Sequence, residues 1–473
     1  MLNKNFQKWF NSQKKLNKIK VKIKKLNHLK FWIYNKKFII HKSKRFFKIV
    51  GIEVKSNFAG KNWDQPIIVQ NEQGILGIIK NKRTKKYLLQ AKVEPGNKNK
   101  LQLSPTVQAT KSNYQRVHGG KKTPYLNIFK NNKIKFISQS EQGYRYLFKF
   151  NKNALVEIKK KIKIFQNFYW FSKDDLKLLI KKKSILNMDT VSVFSSFIKK
   201  NSIDLPIQKM QKINSWIRQN DKIHKLKVKV KPLSNLSNWK VGSEKIIHKN
   251  NKHFSVIGIN IISNKREIEE WDQPIIKGKR LAFAGYLVKV FNKTDHYLCK
   301  YNKKPGLKKS TLSCTVNTSD LDNYKKNNNL MGFEKKMIRD FFFNKKKIFK
   351  KIFDNVLSDE GGRFFNCQIR YKVLKLSNTT KIKIPSNYFW ISQNQMIDMI
   401  KKKFKFHIIS ESRKGVLRGL HFQTKNPQGK YVSVIKGKIL DVAVDIRRKS
   451  KTFGKKYSII LSSKNNKSVY IPP

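Results

Sequence analysis

The chain has 473 residues, of which 106 are lysine or arginine and 28 are aspartate or glutamate, giving a formal net charge of +78. Such a charge is typical of nucleic-acid binding. Lysines, however, greatly outnumber arginines, the residue favoured for recognising phosphates and bases, and they are spread along the whole chain. Composition therefore disfavours a nucleic-acid partner, and with no apolar run of about 18 residues the sequence predicts no membrane span.

Each half of the chain begins with a lysine-rich segment of helical character that contains Trp9 or Trp216. A segment of mixed β-branched and aromatic residues follows, at residues 46–54 and 253–261, as expected of a half-buried strand. Further strands are predicted in both halves, and each half closes with an aromatic-rich strand and a helix. Strands first, with helices at the ends, predict an α+β fold.

The six-residue string WDQPII occurs at residues 63–68 and again at 271–276. Apolar residues around it recur at matched spacing, so we expect a tandem duplication rather than a solenoid or a propeller. The spacing predicts two domains of about 200 residues, over residues 1–200 and 208–403, each large enough to bury a core.

The segment 93–145 is dense in glycine, proline, hydroxyl and amide residues. Its amides and hydroxyls alternate with Leu103 and Val107, which predicts one polar row on a single face of a strand, where it would line a pocket. The second half has no such row: Glu94, for example, is matched by Lys304, and the RVHGG run has no match. The sequence therefore predicts one working pocket, in the first half.

The three cysteines, Cys299, Cys314 and Cys367, form neither a CxxC pair nor a metal-ligand spacing, so we expect a reduced, cytoplasmic protein. The histidines form no HExxH motif, and neither a GxGxxG nor a GxxxxGKS/T loop is present. The sequence thus predicts no metal and no cofactor.

Taken in order, the motifs WDQPII, LLQAKVEPGN, LQLSPTVQATKSNYQRVHGG, SEQGYR and NMDT resemble those of the nucleotide-diphosphate-hexose 2,3-dehydratases of deoxysugar biosynthesis. The resemblance covers residues 1–403. It implies a tandem pair of Nudix-like mixed-sheet domains that keep a nucleotide-sugar pocket, although the glutamates of the hydrolase signature are absent.

The reaction implied by the resemblance is a carbon–oxygen lyase reaction on a nucleotide-diphosphate 4-keto-6-deoxyhexose. A general base removes the C3 proton, which the C4 ketone makes acidic, and the C2 hydroxyl leaves as water. The resulting enol rearranges to a 3,4-diketo-2,6-dideoxy sugar. No metal or redox cofactor is required, and positioned acid and base groups contribute roughly 10²- to 10⁴-fold.

For the acid and base of this reaction we predict His118, Glu141 and Tyr114. Two alternatives stay open: a structural ion pair of Glu141 with Arg145, and an ordinary loop role for His118. The predicted substrate-binding residues are Gln102, Ser104, Thr106, Gln108, Thr110, Asn113, Arg116, Gly119, Gly120 and Arg145.

From about residue 406 the sequence changes character, and the string SRKGVLRGLHFQTKNPQGKYVSVIKGKILDVAVDI closely resembles the middle of dTDP-4-dehydrorhamnose 3,5-epimerases. Those enzymes are cupin-type jelly rolls. The resemblance implies a catalytic base at His421 and substrate contacts at Arg418 and Lys430. Because residues 408–473 are too few for the eight strands of a jelly roll, we expect a partial all-β fragment without epimerase activity.

The sequence thus predicts a 2,3-dehydratase that acts on a nucleotide-diphosphate sugar, and it leaves open whether the chain forms a homodimer. Two alternatives remain: an epimerase-type protein defined by its tail, and a degenerate basic binding protein without activity. Thermal stabilisation by a sugar nucleotide would favour the enzyme, and salt-dependent retention of nucleic acid would favour the binder.

Overall fold

The computed structural model describes residues 4–57, 62–97, 101–117, 119–130, 134–251, 253–326, 330–343, 349–401, 410–422, 429–448, 450, 452–463, 465 and 467–472. The chain divides into two compact units, Met1–Lys403 and Phe404–Pro473. It is a mixed α and β protein made mostly of sheet. No helix in the described ranges is long and apolar enough to span a membrane.

We call residues 1–200 the first half and residues 208–403 the second half of the larger unit. The helices of the first half are α1 (Lys4–Leu16), α2 (Lys111–Tyr114), α3 (Leu126–Phe129), α4 (Lys173–Leu179) and α5 (Met188–Ser196), with a 3₁₀ turn at Leu26–His28. Its strands are β1 (Ile19–Lys24), β2 (Trp32–Tyr34), β3 (Ile39–His41), β4 (Lys48–Ser56), β5 (Trp63–Val69), β6 (Gly74–Asn81), β7 (Tyr87–Val93), β8 (Leu101–Pro105), β9 (Val107–Ala109), β10 (Ile137–Ser140), β11 (Tyr146–Leu147), β12 (Phe150–Ile158) and β13 (Phe168–Phe171).

The helices of the second half are α6 (Met210–Ile223), α7 (Gly332–Met337), which continues into a π-helical turn at Ile338–Phe342, and α8 (Gln393–Lys401), with 3₁₀ turns at Leu233–Asn235 and Tyr324–Lys326. Its strands are β14 (Leu226–Lys231), β15 (Trp239–Val241), β16 (Lys245–His248), β17 (Ser255–Ser263), β18 (Glu270–Lys277), β19 (Ala282–Phe291), β20 (Thr294–Asn302), β21 (Thr311–Ser313), β22 (Val316–Thr318), β23 (Phe349–Ser358), β24 (Phe364–Phe365), β25 (Gln368–Leu376) and β26 (Tyr388–Ser392).

Local sequence explains the closing helices of both halves. Helix α4 begins with a capping box, in which the Asp175 N–H donates to Ser172 Oγ at 3.1 Å and the Ser172 N–H donates to the Asp175 carboxylate at 2.9 Å. Helix α8 begins in the same way, with the Gln395 N–H donating to Ser392 Oγ at 3.2 Å. A Ser-x-x-Asp/Gln pattern after an aromatic strand is therefore a reliable start signal here.

Each half contributes to one six-stranded and one seven-stranded sheet, and the strand orders correspond. The seven-stranded sheet runs β10-β12-β6-β7-β13 in the first half and β23-β25-β19-β20-β26 in the second, with β8 and β9, or β21 and β22, attached. In both sheets one central pair is parallel, β12 with β6 and β25 with β19. The two sheets therefore present equivalent edges to equivalent loops.

The two halves exchange one strand each. Strand β1 of the first half pairs antiparallel with β17, so that Lys24 lies opposite Gly258. Strand β14 of the second half pairs antiparallel with β4, so that Lys231 lies opposite Gly51. Both glycines are required by close approach, since a Cβ at Gly258 would lie 2.5 Å from the Lys24 carbonyl oxygen and one at Gly51 2.9 Å from the Lys231 carbonyl oxygen.

Asp64, in the first WDQPII string, binds the exchanged segment of the second half. Its carboxylate accepts hydrogen bonds from Lys231 Nζ at 3.1 Å and from the backbone N–H of Ser237. Burial alone would raise the pKa of Asp64, but these hydrogen bonds hold it below its ordinary value. The buried, ionised Asp64 carboxylate thus links the two halves.

Asp272, in the second WDQPII string, binds the first half in the same way. Its carboxylate accepts from Lys24 Nζ at 2.6 Å and from the Lys30 N–H at 2.7 Å. The next residue of each string holds a distant loop of its own half: Gln65 Nε2 donates to the Tyr144 carbonyl at 2.7 Å and Gln273 Nε2 to the Gly362 carbonyl at 2.7 Å. Each string therefore connects its own loop to the other half.

Removal of the Asp64 carboxylate should destabilise the larger unit. We expect Asp64→Ala to lower the free energy of unfolding by about 3–5 kcal/mol, because the Lys231 ammonium and the Ser237 N–H lose their buried acceptor. Urea denaturation at pH 7 measures this, with the exposed Asp322→Ala as the matched control. A loss below about 1 kcal/mol, as expected for a surface ion pair, would contradict a stabilising link through Asp64.

The same interaction predicts a pH dependence with a defined sign. Because the pKa of Asp64 is lower in the folded chain, its contribution is present above the unfolded value of about 3.9 and is lost as the pH falls through the folded value. The difference in stability between wild type and Asp64→Ala should therefore shrink below about pH 4.

Candidate functional site

A cavity of about 600 Å³ opens into the larger unit, Met1–Lys403. Aromatic residues of both halves form part of its wall, among them Trp32, Phe47 and Trp271. Its volume lies in the range of about 300–1,000 Å³ that is typical of sites for small organic ligands. The cavity is composite, because its lining comes from the first half and from the loop and strand that the exchange brings over from the second.

The polar floor of the cavity comes from the ends of several elements. Lys92 is the penultimate residue of strand β7, which leads to Glu94. The loop after β10 carries Glu141, and β12 begins beside Lys149. Asp189 lies in the first turn of α5, which Asn187 caps by accepting from the Thr190 N–H at 2.9 Å. Strand ends and a helix start thus direct charged side chains to one place.

The second half reaches the cavity through the loop 359–363, which is fixed against the turn at residues 94–97. The Gly96 N–H donates to the Gly361 carbonyl at 2.8 Å, and the Gly361 N–H donates to the Glu94 carboxylate at 3.0 Å. A Cβ at Gly96 would lie 1.8 Å from the Phe364 carbonyl oxygen, so only glycine fits. Glu360 and Arg363 enter the cavity on this loop.

Among the carboxyl groups that line the cavity, Glu141, Asp189 and Glu360 are close enough to affect one another's ionisation. Burial and the charge of Glu360 raise the pKa of Glu141 to about 7, against the opposing charge of Lys149. Burial and the same neighbouring carboxylates raise the pKa of Asp189 well above its ordinary value, and burial raises that of Glu360. Glu141 therefore exchanges its proton near neutral pH, as an acid or base catalyst requires.

A tyrosine and a lysine complete the cluster. The Tyr146 hydroxyl donates to the Glu360 carboxylate at 2.9 Å, and burial together with that carboxylate raises the pKa of Tyr146 well above its ordinary value. Lys149 Nζ donates to the Glu72 carbonyl, and burial lowers the pKa of Lys149. Tyr146 is therefore a protonated donor, while Lys149 is a cation next to Glu141.

Two cavity arginines have buried N–H groups without an acceptor in the described part of the chain, Arg266 Nε and Arg363 Nε. The Arg363 guanidinium lies 4.1 Å from the ring centre of Phe47. In the equivalent place of the other half, the Arg145 guanidinium lies 4.2 Å from the ring centre of Phe254. The Arg266 guanidinium also forms an ion pair with the Glu267 carboxylate at 3.5 Å. Guanidinium N–H groups that face a cavity without a hydrogen-bond acceptor favour an anionic ligand.

Several residues predicted from the sequence come together in the cavity. They are Gln108, Thr110, Asn113, Arg116, Gly120 and Glu141. The Gln108 amide donates to the Glu94 carboxylate at 2.9 Å and accepts from Asn187 Nδ2 at 3.1 Å, so its orientation is fixed.

The other predicted residues of the first half lie outside the cavity lining. Gln102, Ser104 and Thr106 are buried and bonded within the protein, for example through Gln102 Nε2 to the Ser184 carbonyl at 2.8 Å. Thr106 Oγ1 joins β6 to β7 by accepting from the Ile79 N–H at 3.0 Å. The polar row thus turns toward backbone groups rather than toward the cavity.

Three further predicted residues, Tyr114, Gly119 and Arg145, also lie outside the cavity lining. The Tyr114 ring packs beneath Lys130 Nζ at 5.4 Å, and burial raises the pKa of Tyr114. Gly119 has a positive φ of 70°. His118 lies outside the described residues.

In the smaller unit, Phe404–Pro473, the described strands are β27 (Lys430–Ser433), β28 (Lys438–Val444), β29 (Lys456–Ser462) and β30 (Ser468–Ile471). They form two antiparallel pairs, β27 with β30 and β28 with β29. Arg418 and His421 are exposed, and Lys430 begins β27. Apolar side chains on these strands remain open, with Leu440 65% exposed.

Sequence reasoning missed Tyr146, Lys149, Asp189, Glu360 and Arg363. Tyr146 and Asp189 lie in or beside the SEQGYR and NMDT motifs but were assigned no role, and Glu360 and Arg363 belong to the copy regarded as changed. A comparison of the two repeats could have identified Lys149, because the equivalent residue of the second half is Cys367.

Comparison with known proteins agrees with the motifs. The family model described as NDP-hexose 2,3-dehydratase matches residues 3–197 and again 210–414. A dTDP-4-dehydro-6-deoxy-alpha-D-glucopyranose 2,3-dehydratase of Saccharopolyspora spinosa is 27% identical over 421 residues, covering 81% of this chain and 83% of the relative. One of the same name from Amycolatopsis orientalis is 29% identical over 404 residues, covering 83% and 84%.

The C-terminal region matches a different family model, dTDP-4-dehydrorhamnose 3,5-epimerase, over residues 388–473. An epimerase of that name from Methanothermobacter thermautotrophicus is 54% identical over 63 residues, which are 13% of this chain and 34% of the relative. Both resemblances predicted from the sequence are confirmed. Because the first model matches most of its length, the chain belongs to the NDP-hexose 2,3-dehydratase family.

Proposed function

We propose that this chain removes water across C2 and C3 of a nucleotide-diphosphate 4-keto-6-deoxyhexose in the cavity of the larger unit, giving a 3,4-diketo-2,6-dideoxy sugar. One observation carries the proposal: Glu141 and Glu360 face the same cavity with raised pKa values, beside Tyr146 and two arginines with unpaired N–H groups. The names of the relatives support a thymidine-diphosphate 4-keto-6-deoxyglucose as the substrate.

Glu141 acts as the base that takes the C3 proton. Its pKa of about 7 leaves a large ionised fraction at neutral pH while keeping the carboxylate basic enough to accept a proton. The electron pair released at C3 moves toward the C4 ketone oxygen, where negative charge develops. The Lys149 ammonium next to Glu141 supplies favourable charge for that step.

Tyr146 and Glu360 act together as the acid that protonates the departing C2 hydroxyl. Both groups hold their protons more tightly than usual, and the 2.9 Å hydrogen bond between them provides a route for a replacement proton. The acid pair then spans both halves, since Tyr146 belongs to the first half, together with Glu141, and Glu360 to the second. Pairs of groups with shifted pKa values are the usual means of dividing such roles.

Arg266 and Arg363 bind the diphosphate, and the aromatic wall formed by Trp32 and Trp271 packs against the flat base or the sugar. The roles predicted for His118, Tyr114, Gly119, Arg145 and the buried polar row stay predictions. So do the Nudix-like fold of each half, the domain bounds, a homodimer and a cytoplasmic location.

Replacement of Glu141 by glutamine removes the base while preserving shape. We expect Glu141→Gln to bind the sugar nucleotide but to lose roughly 10²- to 10⁴-fold in turnover of a thymidine-diphosphate 4-keto-6-deoxyglucose. The matched control is Asp322→Asn, which changes an exposed carboxylate outside the cavity lining in the same way. An equal loss in both variants would show that the effect is not specific to the cavity.

The pH profile should report the same group. Because only the ionised Glu141 carboxylate accepts a proton, wild-type turnover should rise as the pH increases through about 7 and then level off. Initial rates between pH 5.5 and pH 9 measure this. Turnover that is already maximal at the acidic end would exclude Glu141 as the base.

The two pseudo-equivalent arginines give a paired binding test. We expect Arg363→Gln to weaken binding of thymidine diphosphate roughly 10- to 100-fold, because a charged hydrogen bond contributes about 1.5–3 kcal/mol. Arg145→Gln, which removes the guanidinium stacked on Phe254, should change the affinity for thymidine diphosphate little. Calorimetric titration distinguishes them, and the reverse order of effects would assign the diphosphate to Arg145.

The smaller unit should not contribute epimerase activity. In deuterated water the dehydratase base exchanges the C3 proton of the sugar, whereas an epimerase also exchanges the proton at C5. We expect no enzymatic C5 exchange above that of a sample without protein, and no change in dehydration for His421→Ala. C5 exchange that His421→Ala abolishes would show that the unit is an active epimerase.

A further inference from the structure

Asn151 lines the cavity between two partners at the start of strand β12. Its Nδ2 donates to the Glu141 carboxylate, and its Oδ1 accepts from the Gly74 N–H at 3.3 Å. An amide nitrogen only donates and an amide oxygen only accepts. The Gly74 N–H therefore determines which end of the amide faces Glu141, and that end is the donor.

The backbone permits this arrangement only because residue 74 is glycine. Strand β12 runs parallel to β6 with Asn151 opposite Gly74, and a Cβ at Gly74 would lie 2.8 Å from Asn151 Oδ1. In the second half, the equivalent pair of the parallel strands is Ala282 opposite Ile369. Ile369 has no side-chain amide, so the second half lacks the equivalent hydrogen bonds.

Asn151 matters because the surroundings of Glu141 oppose its ionisation. Carboxyl groups face it from the loop of the second half, Asp359 and Glu360, and Asp189 faces it from α5. Tyr146 on β11 is uncharged. Lys149 is the cation that favours the ionised form, and the Asn151 amide is the hydrogen-bond donor that does so. A donor to the charged form favours that form.

We propose that Asn151 is a positioning residue: held by Gly74, its amide fixes the Glu141 carboxylate in the cavity and keeps it available as a proton acceptor. This inference rests on the proposed function for the role of Glu141 as base, but the hydrogen bond and its effect on ionisation do not depend on turnover. Asn151 touches Glu141 rather than the reacting atoms, so it acts through that residue.

The test compares Asn151→Leu, Asn151→Asp and Gly74→Ala with wild type. Leucine removes the donor at similar size, aspartate replaces it with a charged acceptor, and alanine at residue 74 displaces the amide without changing it. The matched control is Asn153→Leu, because Asn153 lies two residues further on the same face of β12 but bonds to Gln139 and Ser196 instead.

Two readouts are recorded for each variant: the pH profile of turnover, and infrared difference spectra against the same protein carrying Glu141→Gln, which report Glu141 protonation without turnover. In both readouts we expect the pH midpoint of Glu141 ionisation to rise by about one unit in Asn151→Leu and further in Asn151→Asp. Turnover of Asn151→Leu at pH 7 should fall about fivefold and recover in alkaline solution. Gly74→Ala should raise the midpoint in the same direction, and Asn153→Leu should leave it unchanged.

An unchanged infrared midpoint in the Asn151 and Gly74 variants would overturn the inference, as would an equal shift in Asn153→Leu. A fall in turnover at every pH without a shift indicates a purely structural role and also overturns it. If wild type shows no dehydration, the proposed function fails, yet the infrared midpoints still decide the role of Asn151. The two failures are therefore distinguishable.

Discussion

The reciprocal strand exchange held by Asp64 and Asp272 is the constraint on which the rest of the larger unit depends. Each carboxylate is buried in one half while its donors, Lys231 and Lys24 among them, belong to the other. A buried charge separated from its partners is costly, so the halves are expected to fold as one body. That union brings the loop 359–363 of the second half to the cavity of the first.

The two halves form two equivalent loop contacts, Gly96 with Gly361 and Gly306 with Gly143, and only the first lies beside the cluster of carboxyl groups. At the cavity, Glu94 receives the Gly361 N–H and Lys149 lies beside Glu141. At the equivalent place, the Gly306 N–H donates to the Gly143 carbonyl at 2.7 Å, and the position of Lys149 is taken by the buried Cys367. The backbone frame is shared, whereas Glu94 and Lys149 are replaced by Lys304 and Cys367, which supports a single site.

Local pattern predicted many of the strands and the helix that follows the aromatic strand in each half, because these depend on neighbouring residues. It also singled out the segment that contributes Gln108 and Glu141 to the cavity lining. The strand exchange could not be predicted, since β1 and β14 read as strands whichever sheet accepts them. Alternation showed that Gln102, Ser104 and Thr106 share a face but not which face meets the cavity. Glu360 was missed because its role depends on a contact between halves distant in sequence.

The central claim is that one active site draws its base, Glu141, from the first half and one member of its acid pair, Glu360, from the second. Turnover of a thymidine-diphosphate 4-keto-6-deoxyglucose by Glu360→Gln tests this most directly, because the substitution lies entirely in the second half. The account predicts a loss of about 10²-fold or more with the fold and nucleotide binding retained. Undiminished turnover in that variant would contradict it.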